Sequence, residues 1–140
     1  MKEIKFRVYG LNEKQYYYNC GLVNNEIIVN YDRSGMEVVD ILDIQKNYIL
    51  EQYTGITDVD GEYIYEGDII RVFKTPYPDS HDENYFDVSV VMEDGCFNVL
   101  HDDHTLETLI DVYLSNYTIK VIGNVHERGE KNAYTNVKQL

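Results

Sequence analysis

Residues 50–72 read Leu-Glu-Gln-Tyr-Thr-Gly-Ile-Thr-Asp-Val-Asp-Gly-Glu-Tyr-Ile-Tyr-Glu-Gly-Asp-Ile-Ile-Arg-Val, a stretch that combines strands and tight turns. Tyr48 to Tyr53 alternates with the period of a β-strand, and Asp60-Gly61 favours a turn in which glycine has positive φ. Glu66-Gly67-Asp68 then leads into the β-branched run Ile69–Phe73. Gly67 permits a sharp bend there, and Asp68 can accept a hydrogen bond from a nearby backbone N–H group. The stretch therefore predicts strands joined by turns.

The same alternation continues on both sides of this stretch. It predicts further strands at Ile4–Val8, Glu26–Tyr31, Met36–Ile44, Phe86–Met92, Cys96–Leu100 and Ile119–Val125. Asp94-Gly95 joins two of them in the clearest hairpin of the sequence, and Gly123-Asn124 predicts a bulge in the last strand. Tyr16–Tyr18 fits either a strand or a loop anchored by its rings.

One segment changes to helical spacing. Apolar residues fall at i, i+3, i+4, i+7 and i+8, which predicts an amphipathic helix near residues 103–115: Leu106, Leu109, Ile110, Tyr113 and Leu114. Asp102 and Asp103 are suitable N-caps for it. The fold class predicted is mainly β, barrel or sandwich-like, with an SH3-like strand entry in the C-terminal half and this one short helix.

We expect a single domain over residues 1–126 and a tail at 127–140. Within the domain, an N-terminal β subregion (1–50) and a barrel-like C-terminal subregion (63–126) can be distinguished. The 140 residues contain 25 acidic and 12 basic side chains, a formal charge of −13. This charge argues against direct binding of nucleic acid and against anionic membranes.

The remaining composition bears on location and association. No apolar stretch resembles a leader or a membrane span, so a cytoplasmic location is expected. The two cysteines, Cys20 and Cys96, are expected to be free thiols, with Cys96 a small core residue of its hairpin strand. Fourteen tyrosines exceed what one small core can bury, which predicts tyrosine-rich surface and self-association.

Three motifs carry a resemblance to a known family. They are the opening Met-Lys-Glu-Ile-Lys-Phe-Arg, the central stretch with Gln52–Gly55, Asp60-Gly61 and Ile64–Ile69, and the closing Ile122–Glu127. With these motifs in this order, the chain resembles the YopX family of phage and prophage proteins. The signature residues are Tyr53, Thr54, Gly55, Asp60, Gly61, Tyr65, Glu66, Gly67, Asp68, Gly123 and Asn124. The resemblance implies a mostly-β protein encoded in phage or prophage genomes, and it implies no catalytic residue set.

Only one group of residues could hold a metal: His81, His101, Asp103 and His104, with neighbouring carboxylates. Their spacing matches no metal motif, and helix capping and solvation explain the same residues. Asp58 and Asp60 suggest a calcium loop, but Gly61 falls at position 4 of that loop and not at position 6. We therefore predict no metal, no cofactor and no catalytic residue.

These observations leave three hypotheses for function. The first is a non-enzymatic, oligomeric interaction module. The second is an acidic decoy that binds a basic host protein, one that normally binds DNA; its acids should form one exposed stripe, whereas here they are scattered through the turns. The third is a metal-dependent enzyme that uses the His/Asp group.

Overall fold

The computed structural model describes residues 3–18, 20–23, 26–33, 36–42, 47–76, 78–79 and 81–127. Its elements are β1 (Phe6–Gly10), β2 (Gln15–Tyr17), β3 (Cys20–Val23), β4 (Glu26–Arg33), β5 (Met36–Leu42), β6 (Tyr48–Thr57), β7 (Tyr63–Tyr65), β8 (Asp68–Phe73), β9 (Tyr85–Glu93), β10 (Cys96–Leu100), β11 (Leu106–Thr108), α1 (Leu109–Leu114) and β12 (Thr118–Asn124). The prediction of a mainly-β fold with very little helix is confirmed. The end of the predicted strand Met36–Ile44 and the tail beyond residue 127 lie outside the described residues.

The chain divides into two compact units, residues 1–55 and residues 56–140. In the first unit, β1 lies between β2 and β6, so that Val8 is opposite Tyr17 on one side and Leu50 on the other. The buried Val8 side chain packs with Tyr17, Cys20, Tyr48 and Leu50. A separate antiparallel sheet has the order β3-β4-β5. Tyr16 and Tyr17 thus belong to a strand, which decides between the two readings of the tyrosine run.

In the second unit, five antiparallel strands have the order β11-β10-β9-β8-β12. Among the described residues, the buried apolar cluster of this unit is mostly β-branched and is supplied largely by alternate strand positions: Ile64, Ile70, Val72, Val88, Val90, Val99, Leu109, Val112 and Ile119. The last two residues of β6, Ile56 and Thr57, fall in this unit. The hairpin at Asp94-Gly95 is confirmed, and both turn residues have positive φ, +54° and +80°. The pairing of β12 with β8 shifts register between Val121 and Gly123, which confirms the bulge.

The Glu66-Gly67-Asp68 turn between β7 and β8 is held by backbone and side-chain hydrogen bonds. Gly67 has φ +89°, which suits glycine. Its N–H donates to Val90 O and its carbonyl accepts from Val125 N–H, both at 2.8 Å. The buried Asp68 carboxylate accepts from Tyr65 N–H at 2.8 Å, as the sequence led us to expect. The bend therefore joins three separate parts of the second unit.

The Asp60-Gly61 turn depends on a different residue, Asp58. Its Oδ1 accepts from the backbone N–H groups of Asp60 and Glu62 at 2.9 and 2.8 Å. Its Oδ2 accepts from Val121 N–H at 2.9 Å. Gly61 has φ +84°, as a turn glycine should. The Asp58 carboxylate therefore fixes the turn to β12.

The predicted helix at 103–115 is wrong in its first half. Leu106 to Thr108 form β11, which is paired with Leu100 to Asn98 of β10. This pairing satisfies backbone groups that would have no intrahelical partner in the first turn of a helix. The helix begins at Leu109, and the Thr108 hydroxyl accepts from Asp111 N–H, so that Thr108 and not Asp102 or Asp103 is the N-cap. Leu109 and Val112 are its buried residues, whereas the other predicted core residues of the helix are exposed.

The position predicted for Cys96 is also wrong. Cys96 is the first residue of β10 after the hairpin turn, and its side chain is exposed. The buried polar residue of this strand is Asn98, whose amide donates to the carbonyl groups of Glu93 and Cys96 at 3.0 and 3.1 Å. The Asn98 side chain thus stabilises the hairpin on its buried side, and the Cys96 thiol lies on the surface.

Candidate functional site

The four residues weighed as possible metal ligands lie in two connections between strands. His101, Asp103 and His104 lie in the connection between β10 and β11, where His104 N–H donates to His101 O at 3.0 Å. His104 has φ +68°, in the left-handed region. His81 lies in the connection between β8 and β9. Within the described residues, no three His, Cys, Asp or Glu side chains are placed to share one metal ion.

Two of those four residues instead line a surface cavity of about 510 Å³. We call it the β9 cavity, and its lining residues are Tyr85, Phe86, Asp87, His101, Asp102 and Asp103. The first three come from the start of β9, and the others come from the turn that follows β10. The cavity therefore combines three ring systems with three carboxylates, and its volume is in the usual range for small-ligand sites.

One wall of the β9 cavity is built on an arginine–carboxylate pair. Arg71 of β8 lies directly opposite Asp87 of β9. Its Nε and Nη2 donate to the two Asp87 oxygens at 2.8 and 3.0 Å, which is the strong bidentate geometry. The same guanidinium carbon lies 4.2 Å from the centre of the Tyr85 ring. Asp87 thus raises the pKa of Arg71, and the charge of this carboxylate is largely balanced.

The other lining residues include two rings and a turn carboxylate. The Phe86 and His101 rings have centroids 5.2 Å apart and planes inclined by 32°. His101 Nε2 donates to Glu107 Oε1 at 2.8 Å, which fixes the imidazole against Phe86. Asp103 accepts from the Thr105 hydroxyl at 2.6 Å and from Thr105 N–H at 3.1 Å. These hydrogen bonds lower the pKa of Asp103, so its carboxylate stays ionised in mildly acidic solution.

A second surface feature follows from the corrected helix. Ile110, Tyr113 and Leu114 lie on one face of α1 and are exposed, with Leu114 as much as 73% exposed. Tyr113 also lines a smaller cavity of about 220 Å³ together with Val59 and Tyr117. We call these five exposed apolar residues (Val59, Ile110, Tyr113, Leu114 and Tyr117) the α1 patch. An uncharged surface of this kind is typical of a protein contact.

Sequence reasoning missed the central residues of the β9 cavity, namely Tyr85, Phe86 and Asp87. The sequence did contain one indication of this site, because Arg71 and Asp87 carry opposite charges on two predicted strands that could pair. The sequence alone did not say that these strands are neighbours, or that the turn after β10 lies beside the start of β9. The helical spacing also concealed the α1 patch, because it assigned the exposed apolar residues to the core.

Comparison with known proteins identifies the family. A model of the YopX protein family matches residues 5–131. The chain belongs to the YopX family. The central and closing motifs and the last three residues of the opening motif fall within the matched range. The family prediction is confirmed. A search of curated proteins finds no match.

Two solved YopX-like structures have similar folds. The crystal structure of protein EF1440 from Enterococcus faecalis is 23% identical, with a TM-score of 0.60, and the match covers 94% of this chain and 99% of that one. The X-ray structure of protein yopX from Bacillus subtilis is 21% identical, with a TM-score of 0.60, and the match covers 93% and 98%. At these identities the likeness concerns the fold. In the described part of this YopX-family chain, no helix is long and apolar enough to span a membrane.

Proposed function

We propose that this chain is a phage- or prophage-encoded accessory protein that works as a non-enzymatic, self-associating interaction module in the bacterial cytoplasm. The phage or prophage origin rests on the family resemblance. The observation that carries the interaction role is the α1 patch, where three apolar positions of one helix face stand outside the core. Contact between the apolar outer face of a helix and a partner is favourable, because it removes apolar surface from water.

The partner we propose for the α1 patch is a second copy of this chain. The five side chains of the patch carry no charge, so they offer nothing specific to a basic partner. Two copies with a charge of −13 each repel one another, but at physiological salt this repulsion extends only about 8 Å. Apolar contact between two uncharged patches therefore lets the copies meet without placing like charges against each other.

A twofold arrangement suits this surface best. In a closed dimer the same patch appears on both sides of the interface, so α1 of one copy packs on α1 of the other. A stable interface buries about 800 Å² per partner, so the patch would form the apolar centre and the surrounding polar residues the rim. Asp111 lies on α1 beside the patch. Asp60, which follows Val59 in the chain, forms an ion pair with Lys120.

Light scattering coupled to size exclusion tests the proposal. We expect the protein to have twice its chain mass of 16.4 kDa at micromolar concentration in moderate salt. Leu114→Glu should return it to the monomer mass, because the new charge would be buried in the contact. Met92→Glu is the matched control, since Met92 is an exposed apolar residue of β9 outside the patch.

Two results would contradict the proposal. A wild-type mass that stays at 16.4 kDa up to high micromolar concentration would exclude self-association. A dimer that persists in Leu114→Glu but dissociates in Met92→Glu would place the interface on the strands and not on α1.

A further inference from the structure

We propose that the cavity beside α1 receives the Leu114 side chain of a second copy, so that each copy of a twofold dimer inserts this residue into the other. Such a contact rests on the proposed self-association and identifies the residues that make the two copies complementary. The cavity of about 220 Å³, which we call the α1 cavity, is lined by residues 57–59, 113 and 117–119. All of these residues belong to the second unit.

The floor of the α1 cavity consists of buried residues whose polar groups already have hydrogen-bond partners. Asp58, Thr118 and Ile119 are buried. The Asp58 carboxylate accepts from the backbone N–H groups of three residues. The Thr118 hydroxyl donates to Pro76 O at 2.8 Å. An apolar side chain can therefore cover this floor without leaving a hydrogen bond unmade.

The rim of the α1 cavity is formed by one aliphatic and two aromatic side chains. Val59, Tyr113 and Tyr117 line the cavity and are exposed. Val59 N–H donates to Ile119 O at 2.9 Å, and the Tyr117 and Phe86 rings pack edge to face with centroids 6.5 Å apart. These contacts order the rim within the single chain. A rim that is ordered before binding loses little conformational entropy when a side chain enters.

Leu114 is well suited to fill such a cavity. Among the described residues it is the most exposed large apolar side chain, at 73%. It follows Tyr113 on α1 and lies about 100° farther round the helix. The volume of the cavity corresponds to about seven water molecules in the liquid, so one leucine side chain fits and displaces water from the rings of the rim.

The position of this exposed leucine beside a cavity favours a second copy over a different protein as the partner. In a closed dimer, every contact between a residue i and a residue j occurs twice. Tyr113 borders the cavity and Leu114 is the next residue, so a twofold axis beside α1 brings both leucines to the cavities of their partners. The centre of the interface is then a pair of filled pockets, the type of contact that contributes most to binding free energy.

Dimer dissociation constants, measured by light scattering over a dilution series, test the contribution of Leu114. Leu114→Ala shortens the side chain without adding a charge. We expect it to raise the dissociation constant at least about hundredfold, because two insertions are lost in each dimer. Ile110→Ala shortens another exposed residue of the α1 patch and should have an effect at least about tenfold smaller. Met92→Ala, outside the patch, is the control and should leave the constant unchanged.

A mixing experiment tests the insertion directly. Val59→Trp places a larger ring at the rim and should block the cavity, which weakens its homodimer. In a mixture, the Val59→Trp copy supplies an intact Leu114 and the Leu114→Ala copy supplies an open cavity. The mixed dimer recovers one of the two insertions, so its share should exceed the statistical value of about half of all dimers. Native mass spectrometry distinguishes the three pairings by mass, and circular dichroism checks that both variants are folded.

The results separate the insertion from self-association itself. A wild type that stays monomeric overturns both proposals. A wild-type dimer that Leu114→Ala and Ile110→Ala weaken equally overturns the insertion alone. Mixed dimers at only the statistical share do the same, and so does a Val59→Trp homodimer as tight as the wild type, because the partner then does not enter the cavity.

Discussion

Each unit of the chain places an arginine directly opposite a carboxylate on neighbouring strands and covers the guanidinium with a tyrosine ring. In the first unit, Arg7 Nε donates to Glu51 Oε1 at 2.8 Å, and the guanidinium carbon lies 4.1 Å from the centre of the Tyr16 ring. In the second unit, Arg71, Asp87 and Tyr85 repeat the arrangement. The two sites differ in exposure, because the side chains of Arg7 and Glu51 are each 5% exposed, against 32% and 20% for Arg71 and Asp87.

This difference assigns the two sites different roles. A buried ion pair loses the hydration of both charges and must satisfy its remaining hydrogen bonds inside the protein. Glu51 does so partly through the Tyr16 hydroxyl, which donates to the same oxygen at 3.0 Å. The half-exposed pair in the second unit keeps much of its hydration and forms the wall of a cavity. The same three residue types thus hold the first unit together and offer a surface in the second.

Removal of one partner of the buried pair should have the largest effect. Arg7→Met leaves the Glu51 carboxylate buried without its cation, and we expect a loss of about 3–5 kcal/mol in the free energy of unfolding. Arg71→Met should cost about 1 kcal/mol or less, because water can reach the partly exposed Asp87 and replace its lost partner. Urea unfolding of the two variants measures the contrast. Equal losses would mean that exposure does not separate the two sites.

The double variant Arg7→Met with Glu51→Leu is the control for this prediction. Removal of both charges takes away the uncompensated carboxylate, so the double variant should be more stable than Arg7→Met alone. Losses that simply add would show that the two side chains are not energetically coupled.

The second prediction compares one glycine in each unit, Gly67 and Gly21. Gly67→Ala should cost about 1 kcal/mol or more, because an alanine at φ +89° is strained and both backbone groups of Gly67 are hydrogen-bonded. Gly21→Ala in β3 is the matched control. Its φ is not left-handed, and an added Cβ meets nothing within 4 Å, so we expect no loss. A urea midpoint unchanged by Gly67→Ala would remove the argument for strain at this turn.

The parts of the fold that the sequence predicted are those set by neighbours in the chain. Asp94-Gly95 and Asp60-Gly61 specify their turns through adjacent residues, and alternation specifies the strands around them. The helix was wrong because pairing of Leu106–Thr108 with β10 competes with local spacing, and the sequence does not reveal which strand is the partner.

The candidate sites were hidden for the same reason. Arg7 and Glu51 are 44 positions apart, and Arg71 and Asp87 are 16 apart, so each pair is visible only after the strands are in register. His101 and Asp103 were considered as metal ligands from their residue types, and their spacing argued against that role. In the structure, His101 lies against Phe86 and Asp103 accepts from Thr105.

The smallest effect we predict concerns the two thiols, one in each unit. Burial in the first unit raises the pKa of the Cys20 thiol from 9.0 to about 11, and its Sγ donates to Phe6 O at 3.3 Å, whereas Cys96 in the second unit is exposed. At pH 8 the Cys20 thiolate should be roughly one part in a thousand, so Cys20 should react far more slowly than Cys96 with an aromatic disulfide reagent. The single variants Cys96→Ser and Cys20→Ser isolate the two rates.

The same shift links Cys20 to stability at high pH. The unfolded thiol loses its proton near pH 9, while the folded thiol keeps it up to about pH 11, so stability present below pH 9 falls as the pH rises through this window. Tyrosines and lysines titrate in the same range, so the measured quantity is the difference in unfolding free energy between wild type and Cys20→Ala. Between pH 9 and pH 11, we expect the unfolding free energy of the wild type to fall relative to that of Cys20→Ala. A constant difference, together with equal reaction rates at pH 8, would mean that the thiol in the first unit is as open to water as the one in the second.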